Sequence, residues 1–503
     1  MNILQDIFLR YPAIPVAVSL VVGILVGERW QYTETWIVLA LVSAVTSAIL
    51  HRHSKIMSTT ILAGFCCIGA FLASRQQGKM NITLLKGEIT YEAVVITEAR
   101  EHPKTWSADI TITSGIMKGR TVKAHFSKKA GKPPVSTTRF KATSALTLPQ
   151  NKGNDKFDYS LYLRRHGICA TTFISPWKYK QTGFDTDGLS KTTAVTARLR
   201  LMRLALLSKI ETWGLHKDTE ALVAGVALGQ RNAISREMRD TYSQAGAAHI
   251  LALSGLHLGI IWAMFGIFCI GRWRTLGIML SLLTIWAYTM LVGLPSSAVR
   301  AAIMLTICSV ASLTGRRGAS LNALAFAAII ILIVNPVAIH DLGVQLSFSA
   351  VAFILVFTSP FTNIVSREWQ MRHRIISKLW QMCVLTTVAN IGTLPLISYN
   401  FSRVPLYTIT TNLVAIPLVT ILLWLFVVCM LLMVMGIPEM IFKNAVWLLD
   451  NTASCLNKSM ELVASMPYSS IDGINISATQ TIILYCFLLC ISFSLSKSFQ
   501  AGE

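Results

Sequence analysis

The chain has 503 residues, of which 53% are hydrophobic and only 14% are charged. This composition, with a mean hydropathy of +0.55, is typical of a polytopic membrane protein rather than a soluble domain. The net charge of +21 suits an anionic partner, although part of it is the excess of Lys and Arg expected in cytoplasmic loops. The ten cysteines lie mostly within apolar runs without metal-ligand spacing, so no metal or other cofactor is expected.

Three apolar segments begin the chain, at Tyr11–Gly27, Trp36–Leu50 and Thr59–Ala73, and they predict three transmembrane helices within residues 1–74. The first segment is long and lacks a small-x-small cleavage site, so we expect it to be retained. The loop after the second segment is basic, and the positive-inside rule assigns it to the cytoplasm. The N-terminus is then cytoplasmic, and residues 75–190 are extracytoplasmic.

Residues 75–190 have a different pattern, because polar and apolar residues alternate in short runs. Strand-like runs occur at Ile89–Thr97, Ala108–Ile112, Arg120–Phe126 and Arg139–Leu146, and turn residues separate them. Several short strands with such punctuation predict a small β-sandwich or β-barrel.

The same region contains 19 Lys and Arg residues against 9 Asp and Glu residues. The positive-inside rule does not explain this charge on an outside domain, so we interpret it as a surface that faces a polyanion. A solvated basic surface without a specific partner is the alternative. The candidate DNA-binding residues are Lys123, Lys128, Lys129, Lys132, Arg139 and Lys141. Seven further side chains offer rings on which bases of single-stranded nucleic acid stack, although at least half of them belong to a core: His125, Phe126, Tyr159, Tyr162, Phe173, Trp177 and Tyr179.

Residues 191–247 are predicted to contain amphipathic or interfacial helices. Lys191–Gly214, for example, mixes basic residues with Leu and Ala, as in a helix that lies on a membrane surface; an ordinary packed helix is the alternative. Residues 248–503 contain a second set of apolar spans, from His249–Ile270 to Thr479–Leu495, and predict a multi-helix transmembrane domain.

The stretch His249–Gly259 has the sequence H-I-L-A-L-S-G-L-H-L-G. Polar groups at membrane depth are costly and usually face a bundle interior or a water-filled path. On a single helix, His249, Ser254 and His257 would fall within an arc of about 140°. Gly255 lies four residues before Gly259 and would let another backbone approach closely. A packed helix with hydrogen-bonded histidines is the alternative.

Three further segments place polar, Gly or Pro residues beside apolar spans: Gly293–Arg300, Asn335–Phe348 and Gly392–Pro417. The prolines of the third segment predict broken helices, which are tolerated where backbone lines a cavity and which point to a translocation path. Snorkelling of Arg300, simple helix capping by Asp341, and kinked packing without a path are the alternatives. The candidate path residues from these segments are Ser296, Ser297, Arg300, Asp341, Gln345, Ser347, Pro395 and Asn412.

The sequence lacks the motifs of two kinds of enzyme, ATPases with a phosphate loop and metal-dependent hydrolases. The chain has no G-x-x-x-x-G-K-[ST] phosphate loop, so we do not expect it to hydrolyse ATP itself. It also has no H-E-x-x-H motif and no dense His/Asp cluster typical of a metallohydrolase.

Five blocks, in order, resemble those of the ComEC competence proteins, and Ser254-Gly255-Leu256-His257 is the most specific part of the resemblance. The blocks are Ala221–Arg231, His249–Gly259, Pro295–Ala301, Asp341–Phe348 and Gly392–Pro417. The resemblance covers nearly the whole chain and implies N-terminal helices, an extracytoplasmic OB-like domain and a multi-helix competence domain.

The resemblance implies a channel in the inner (plasma) membrane of a bacterium that passes one strand of incoming DNA during natural transformation. It also implies an outer DNA receptor and a cytoplasmic motor ATPase as partners, beside membrane lipids; a homo-oligomer is left open. Many family members carry a C-terminal metallo-β-lactamase-like domain, which this chain lacks room for, so a separate nuclease would be needed. The disulfide that some members form in the OB-like domain is not expected, since Cys169 is alone in that region.

Two other functions are compatible with the sequence. Ser254 and His257, three residues apart, are within reach of each other on a helix and suggest an intramembrane hydrolase, although no base-orienting acid is evident. The basic outer domain would equally suit a transporter of another anionic polymer or solute. The absence of enzymatic motifs favours a non-enzymatic channel.

Overall fold

The computed structural model describes residues 11–52, 54–80, 87–131, 133–151, 158–264, 273–313 and 321–500. The chain forms two compact units. The first, the barrel unit, comprises Met1–Ser208, Ala287–Pro295 and Ala328–Ile339. The second, the helical unit, comprises Lys209–Trp286, Ser296–Ala327 and His340–Glu503.

The barrel unit begins with three helices, α1 (Ala13–Arg29), α2 (Thr33–Ile49) and α3 (Ser54–Met80). Small residues let α1 and α3 pack backbone to backbone, as in membrane helix pairs. A Cβ atom at Gly23 would lie only 1.9 Å from the carbonyl oxygen of Cys66, so no larger residue fits there.

Five strands close into a barrel in the order β1-β3-β4-β6-β5-β1, with β4 and β6 parallel. Two strands lie outside this ring: β2 pairs with β3, and β7 pairs with β5. The strands are β1 (Glu88–Val95), β2 (Arg100–Glu101), β3 (Thr105–Ile112), β4 (Thr121–Ser127), β5 (Thr138–Thr147), β6 (Ile168–Ile174) and β7 (Tyr179–Phe184).

Alternation of side chains along each strand fills the barrel, because successive residues point to opposite faces. On β4, for example, Val122, Ala124 and Phe126 are buried in the barrel core, whereas the residues between them are only partly buried. Two helices follow the strands, α4 (Tyr159–Arg165) between β5 and β6 and α5 (Lys191–Glu211) after β7. The small barrel predicted from the sequence is confirmed.

The rest of the chain is almost entirely helical. Six of the described helices, α3 among them, are long and apolar enough to cross a membrane, which confirms the predicted polytopic fold class. The helices are α6 (Lys217–Leu228), α7 (Arg236–Gln244), α8 (Gly255–Met264), α9 (Arg274–Leu291), α10 (Ser296–Leu313), α11 (Leu321–Val334), α12 (Leu342–Thr362), α13 (Arg367–Arg372), α14 (Arg374–Phe401), α15 (Thr408–Val434), α16 (Glu439–Ala464) and α17 (Ala478–Gln500). Two short strands, β8 (Arg403–Pro405) and β9 (Ser470–Asp472), pair with each other.

The expectation that His249–Ile270 forms one helix is wrong at its beginning. His249 and the five residues after it are not helical, and α8 begins only at Gly255. Apolar character extended the predicted span, but Ser254 and His257 form a local cap that starts the helix later. Residues 265–270 lie outside the described part of the chain.

The expectation that Pro395 and Pro417 break their helices is also wrong, since both lie inside continuous helices, α14 and α15. A proline leaves a backbone carbonyl one turn earlier without its usual donor, and neighbouring helices can compensate. Three residues before Pro395, the Gly392 carbonyl accepts hydrogen bonds from Ser349 Oγ and from Tyr485 Oη, the latter at 2.9 Å, so side chains of neighbouring helices bind the backbone of this segment. The chain instead breaks at Ser402, whose φ of 52° ends α14.

Candidate nucleic-acid interfaces

A histidine in the first turn of α8 binds the turn that precedes the helix. His257 Nδ1 accepts a hydrogen bond from the backbone N–H of Ser254 at 3.1 Å and lies 2.9 Å from Ser254 Oγ. His257 therefore acts as the returning partner of a capping box, a position that Glu or Gln usually takes. The ring is fully buried, and its Nε2 is near the Ile250 backbone but makes no aligned hydrogen bond with any described residue.

The start of α10 is joined to the same turn. Ser297 Oγ donates a hydrogen bond to the Leu253 carbonyl at 2.6 Å. At Gly255 a Cβ atom would lie 3.4 Å from Ala301 Cβ, so the two helices are in van der Waals contact. The chain thus brings the predicted residues Ser254, Gly255 and His257 close to Ser297.

A buried guanidinium lies one turn further along α10. Arg300 is only 6% exposed, its Nη1 reaches Ser296 Oγ at a long 3.4 Å, and its Nε has no hydrogen-bond partner among the described residues. A Cβ atom at Gly343 would lie 3.2 Å from Arg300 Nη2 and 3.0 Å from Asp341 Oδ1. The glycine therefore provides the space in which the guanidinium lies beside the carboxylate.

Asp341 is the N-cap of α12, as the simpler alternative predicted. Its Oδ1 accepts hydrogen bonds from the backbone N–H groups of Gly343 at 2.7 Å and Val344 at 3.3 Å. A carboxylate there also offsets the positive end of the helix dipole. Because the same carboxylate lies near Arg300, capping and charge compensation are combined in one side chain.

The remaining predicted path residues occupy varied positions. Gln345 and Ser347 follow Asp341 on α12 and are partly buried, and Asn412 on α15 is 8% exposed with an unpartnered Oδ1 in the described residues. Within the helical unit α8 packs against α10 and α15, and α10 packs against α12. Pro395 is buried in α14, and His249 is exposed in the turn before α8.

The geometry argues against a Ser–His hydrolase. Ser254 Oγ is within hydrogen-bond distance of His257 Nδ1, but the same nitrogen accepts the Ser254 backbone N–H. In a catalytic triad the second ring nitrogen binds a carboxylate that orients the base. No described carboxylate bonds His257 Nε2.

A groove with a cavity volume of about 980 Å³ lies on the outer face of the barrel. The turn after β2 lines one side, and the residues between β5 and α4 line the other. His125 of β4 lies opposite Phe173 of β6, and the ring centroids of His102 and His125 are 6.3 Å apart. Phe173 is 57% exposed, so the groove offers planar faces to a ligand.

The predicted lysine cluster is divided in the structure. Lys123, Lys128 and Lys129 belong to β4 and the turn after it, whereas Arg139 and Lys141 belong to β5, and β6 lies between the two strands. The sequence could not show this, because adjacency along the chain differs from the order of strands in a barrel. Lys132 lies outside the described residues.

Three of these cations are already paired with carboxylates. Lys123 contacts Asp109 at 3.2 Å, Lys128 contacts Glu101 at 2.6 Å, and Arg139 contacts Asp185 at 3.3 Å. Lys128 also lies 5.0 Å from the centroid of the Trp106 ring. Lys129 and Lys141 are exposed. The ion pairs lower the net positive charge that the two strands present.

The expectation that at least half of the predicted stacking residues belong to a core is wrong, since Tyr159, Tyr162, Phe173 and Trp177 are exposed and His125 is partly buried. Phe126 is in the barrel core, with Tyr179 packed against it. Tyr159, His125 and Phe173 line the groove, whereas Trp177 is 90% exposed and lies outside it. Burial raises the pKa of Tyr159, with a contribution from Asp109, so its ring stays neutral.

Sequence reasoning missed His102 and Gly343. His102 precedes Pro103 in a segment that suggested only a turn, and its Nε2 lies 2.9 Å from Ser107 Oγ. Gly343 follows two residues after the capping Asp341, where a glycine has no evident purpose in the sequence. Its purpose depends on Arg300, 43 positions earlier in the chain.

Comparison with known proteins is decisive for the helical part of the chain. The family model for competence proteins matches residues 226–498, which is more than half of the chain. The chain belongs to the competence protein family. The match includes α8, α10, α12 and α15, the helices that carry the polar residues described above.

Two curated relatives match about half of this competence-family chain. It is 29% identical over 268 residues to "ComE operon protein 3" of Bacillus subtilis (strain 168), covering 52% of the chain and 32% of the relative. It is 24% identical over 264 residues to "Uncharacterized protein YcaI" of Escherichia coli (strain K12), covering 51% and 34%. The matched part thus spans about a third of each relative's length. No solved structure matches significantly.

Proposed function

We propose that this competence-family protein passes single-stranded DNA across the inner membrane during natural transformation. The observation that carries the proposal is the buried, sparsely bonded guanidinium of Arg300 on a membrane-length helix. An ionised group in such a position is costly and usually serves an ion or substrate path. Guanidinium groups bind phosphate in a bidentate manner, so a phosphodiester backbone suits Arg300 as a transient partner.

In this proposal, polar side chains on α8, α10 and the helices packed around them line the path together with Arg300. They are Ser254, His257, Ser297, Gln345, Ser347 and Asn412. Asp341 compensates the charge of Arg300 when no DNA is bound. A partly compensated cation suits translocation, because binding must be weak enough for each phosphate to leave. A role in DNA uptake is supported by membership of the competence protein family and by the similarity to ComE operon protein 3.

The barrel groove would receive the DNA first. In barrels of this strand order, oligonucleotides bind the face of the second and third strands and the loops beside it. In this chain those strands are β3 and β4, and the groove lies beside them. Base stacking on Phe173 and Tyr159 would contribute about 1–3 kcal/mol per base. Lys129 and Lys141 would add exposed positive charge.

The proposal includes an orientation and partners. The N-terminus would be cytoplasmic and residues 75–190 would be extracytoplasmic. An outer DNA receptor, a cytoplasmic motor ATPase and a separate nuclease would act with the chain, and membrane lipids would surround it. A reporter that is active only outside the cytoplasm, fused within residues 152–157, tests the orientation. The proposal requires that this reporter be active.

Uptake of fluorescent DNA tests the path. A deletion strain is complemented with wild type, Arg300→Ala, Arg300→Lys or Arg274→Ala, and cytoplasmic fluorescence is measured. Arg274 is the matched control, since it is an exposed arginine in the same unit that donates to the Ser312 carbonyl. We expect loss in Arg300→Ala, partial uptake in Arg300→Lys, and wild-type uptake in the control. Wild-type uptake in Arg300→Ala would refute the proposed path.

Salt-dependent binding distinguishes DNA from another polyanion. Full-length protein in nanodiscs is titrated with single-stranded DNA or with heparin at two salt concentrations. We expect Phe173→Ala to weaken DNA binding at least fivefold and heparin binding little, because only DNA has bases to stack. Trp177→Ala removes an exposed ring outside the groove and is the control. Equal loss for both ligands would favour a general polyanion transporter.

A further inference from the structure

Two arginines of α5 join the barrel to the turn that precedes α10, entirely within the barrel unit. Arg203 Nη2 forms an ion pair with Glu98, in the loop after β1, and Arg203 Nη1 donates to the Val292 carbonyl at 3.1 Å. Both charged side chains are largely buried, at 11% and 14% exposure. One guanidinium therefore connects a loop of the barrel with a segment almost two hundred residues later.

Arg200, one turn earlier on α5, strengthens the same connection. Its Nη1 donates to the Ile96 carbonyl. Its side chain also packs on Gly293, where a Cβ atom would lie 3.3 Å from Arg200 Cγ. Gly293 has a φ of +89°, so a larger residue would be both strained and crowded. We call Arg200, Arg203, Glu98 and residues 292–293 the arginine clamp.

The turn held by the clamp is strained and leads directly into α10. Leu294 has a φ of 56°, a left-handed conformation that costs a non-glycine residue of order 1 kcal/mol or more. Such conformations persist only where surrounding contacts impose them. Ser296, the first residue of α10, follows two residues later, and Arg300 lies one turn further. On the barrel side, Glu98 lies four residues before His102 at the groove.

We propose that Arg203, supported by Arg200, is a positioning residue that couples DNA binding in the barrel groove to the start of α10. The clamp fixes the β1–β2 loop and the 292–294 turn to α5, so a shift of the loop when DNA binds shifts the turn. The inference rests on the proposed DNA-uptake function and assigns it a coupling element. A side chain with two separately directed donors is required, because the ion pair and the Val292 bond are made at the same time.

The variant Arg203→Lys distinguishes the ion pair with Glu98 from the simultaneous bond to the Val292 carbonyl. A lysine keeps the positive charge for Glu98 but replaces the planar fork by a single point of attachment. We expect Arg203→Lys to accumulate in the membrane and to bind single-stranded DNA as wild type does, while DNA uptake falls at least tenfold. Arg198→Lys is the matched control, because Arg198 on the same helix donates a hydrogen bond to Thr186 Oγ1 at 3.0 Å and should retain uptake when replaced by lysine.

Hydrogen–deuterium exchange measures the coupling without uptake. Full-length wild-type and Arg203→Lys proteins in nanodiscs are compared with and without a single-stranded oligonucleotide. We expect DNA to change exchange at residues 289–296 in wild type and in Arg198→Lys, and not in Arg203→Lys. An unchanged exchange rate there in DNA-bound wild type, or wild-type uptake by Arg203→Lys, would overturn the coupling. Failure of wild type to bind DNA would instead reject the proposed function.

Discussion

The role of His257 can be separated into two parts, one for each ring nitrogen. Nδ1 caps α8 by accepting the Ser254 N–H, whereas Nε2 has no aligned partner among the described residues. Truncation in His257→Ala removes the cap, at a cost of about 0.5–2 kcal/mol. It also leaves a cavity where the fully buried ring lay, and large-to-small core substitutions cost about 2–5 kcal/mol.

We therefore expect His257→Ala to lose about 3–7 kcal/mol of unfolding free energy. At roughly 2–4 °C per kcal/mol, even the lower value lowers the Tm by about 6–12 °C. Two polar variants, His257→Asn and His257→Gln, separate the contribution of Nδ1 from that of Nε2. Asn places an amide at the position of Nδ1 and keeps the capping acceptor, whereas Gln carries its amide one bond further out, near the position of Nε2.

Thermal unfolding in nanodiscs and DNA uptake are measured for His257→Ala, His257→Asn and His257→Gln. We expect His257→Asn to recover most of the Tm without uptake, and His257→Gln to recover part of the uptake. If uptake follows the Tm across all three variants, His257 serves only to build the helix start. That result would refute its role in the path.

Three further predictions concern other described contacts. Asp341→Ala should lose about 1 kcal/mol of capping free energy, whereas Asp341→Asn caps equally well. A fall in DNA uptake with an unchanged Tm in Asp341→Asn would therefore show that uptake needs the carboxylate charge beside Arg300. Gly392→Ala should cost about 1–3 kcal/mol, because its Cβ would lie 2.7 Å from the Phe353 ring, and Phe353→Leu should restore part of the Tm of this variant; no recovery would reject the steric cause. Burial alone would raise the pKa of Asp450, but hydrogen bonds from Thr219 and His216 outweigh it and hold the pKa below its usual value. The folded-state pKa is thus depressed, so the stabilisation exists above about pH 4 and is lost as the pH falls through the folded pKa. Asp450→Asn should therefore lower the Tm at neutral pH and reduce its decrease between about pH 6 and pH 3, and an unaltered pH dependence would count against this contact.

The barrel could be predicted from the sequence because strand alternation is a local signal. Val122, Ala124 and Phe126 alternate with polar residues, and this pattern alone indicates one buried face. The order of the strands is not local, since β4 and β5 are consecutive barrel strands in the chain but separated by β6 in the barrel. The division of the lysine cluster and its ion pairs therefore required the three-dimensional structure.

In the helical unit, chemistry was easier to predict than geometry. Arg300 and Asp341 stood out because charged residues are rare beside apolar spans. Their proximity depends on Gly343 and on the packing of α10 against α12, which no sequence period reports. Pro395 misled the prediction because α14 continues through it, in a segment where Ser349 and Tyr485 of other helices bind the Gly392 carbonyl.

The most direct test of the account is a photo-crosslink between the helical unit and DNA during uptake. A photoreactive amino acid replaces exposed Ser296, at the start of α10, or exposed Leu283 on α9 as the control, and fluorescent DNA is stalled during entry. The account predicts DNA crosslinks at Ser296 that disappear in Arg300→Ala, and none at Leu283. Equal crosslinking at both positions, or none at Ser296 while uptake proceeds, would contradict a DNA path beside Arg300.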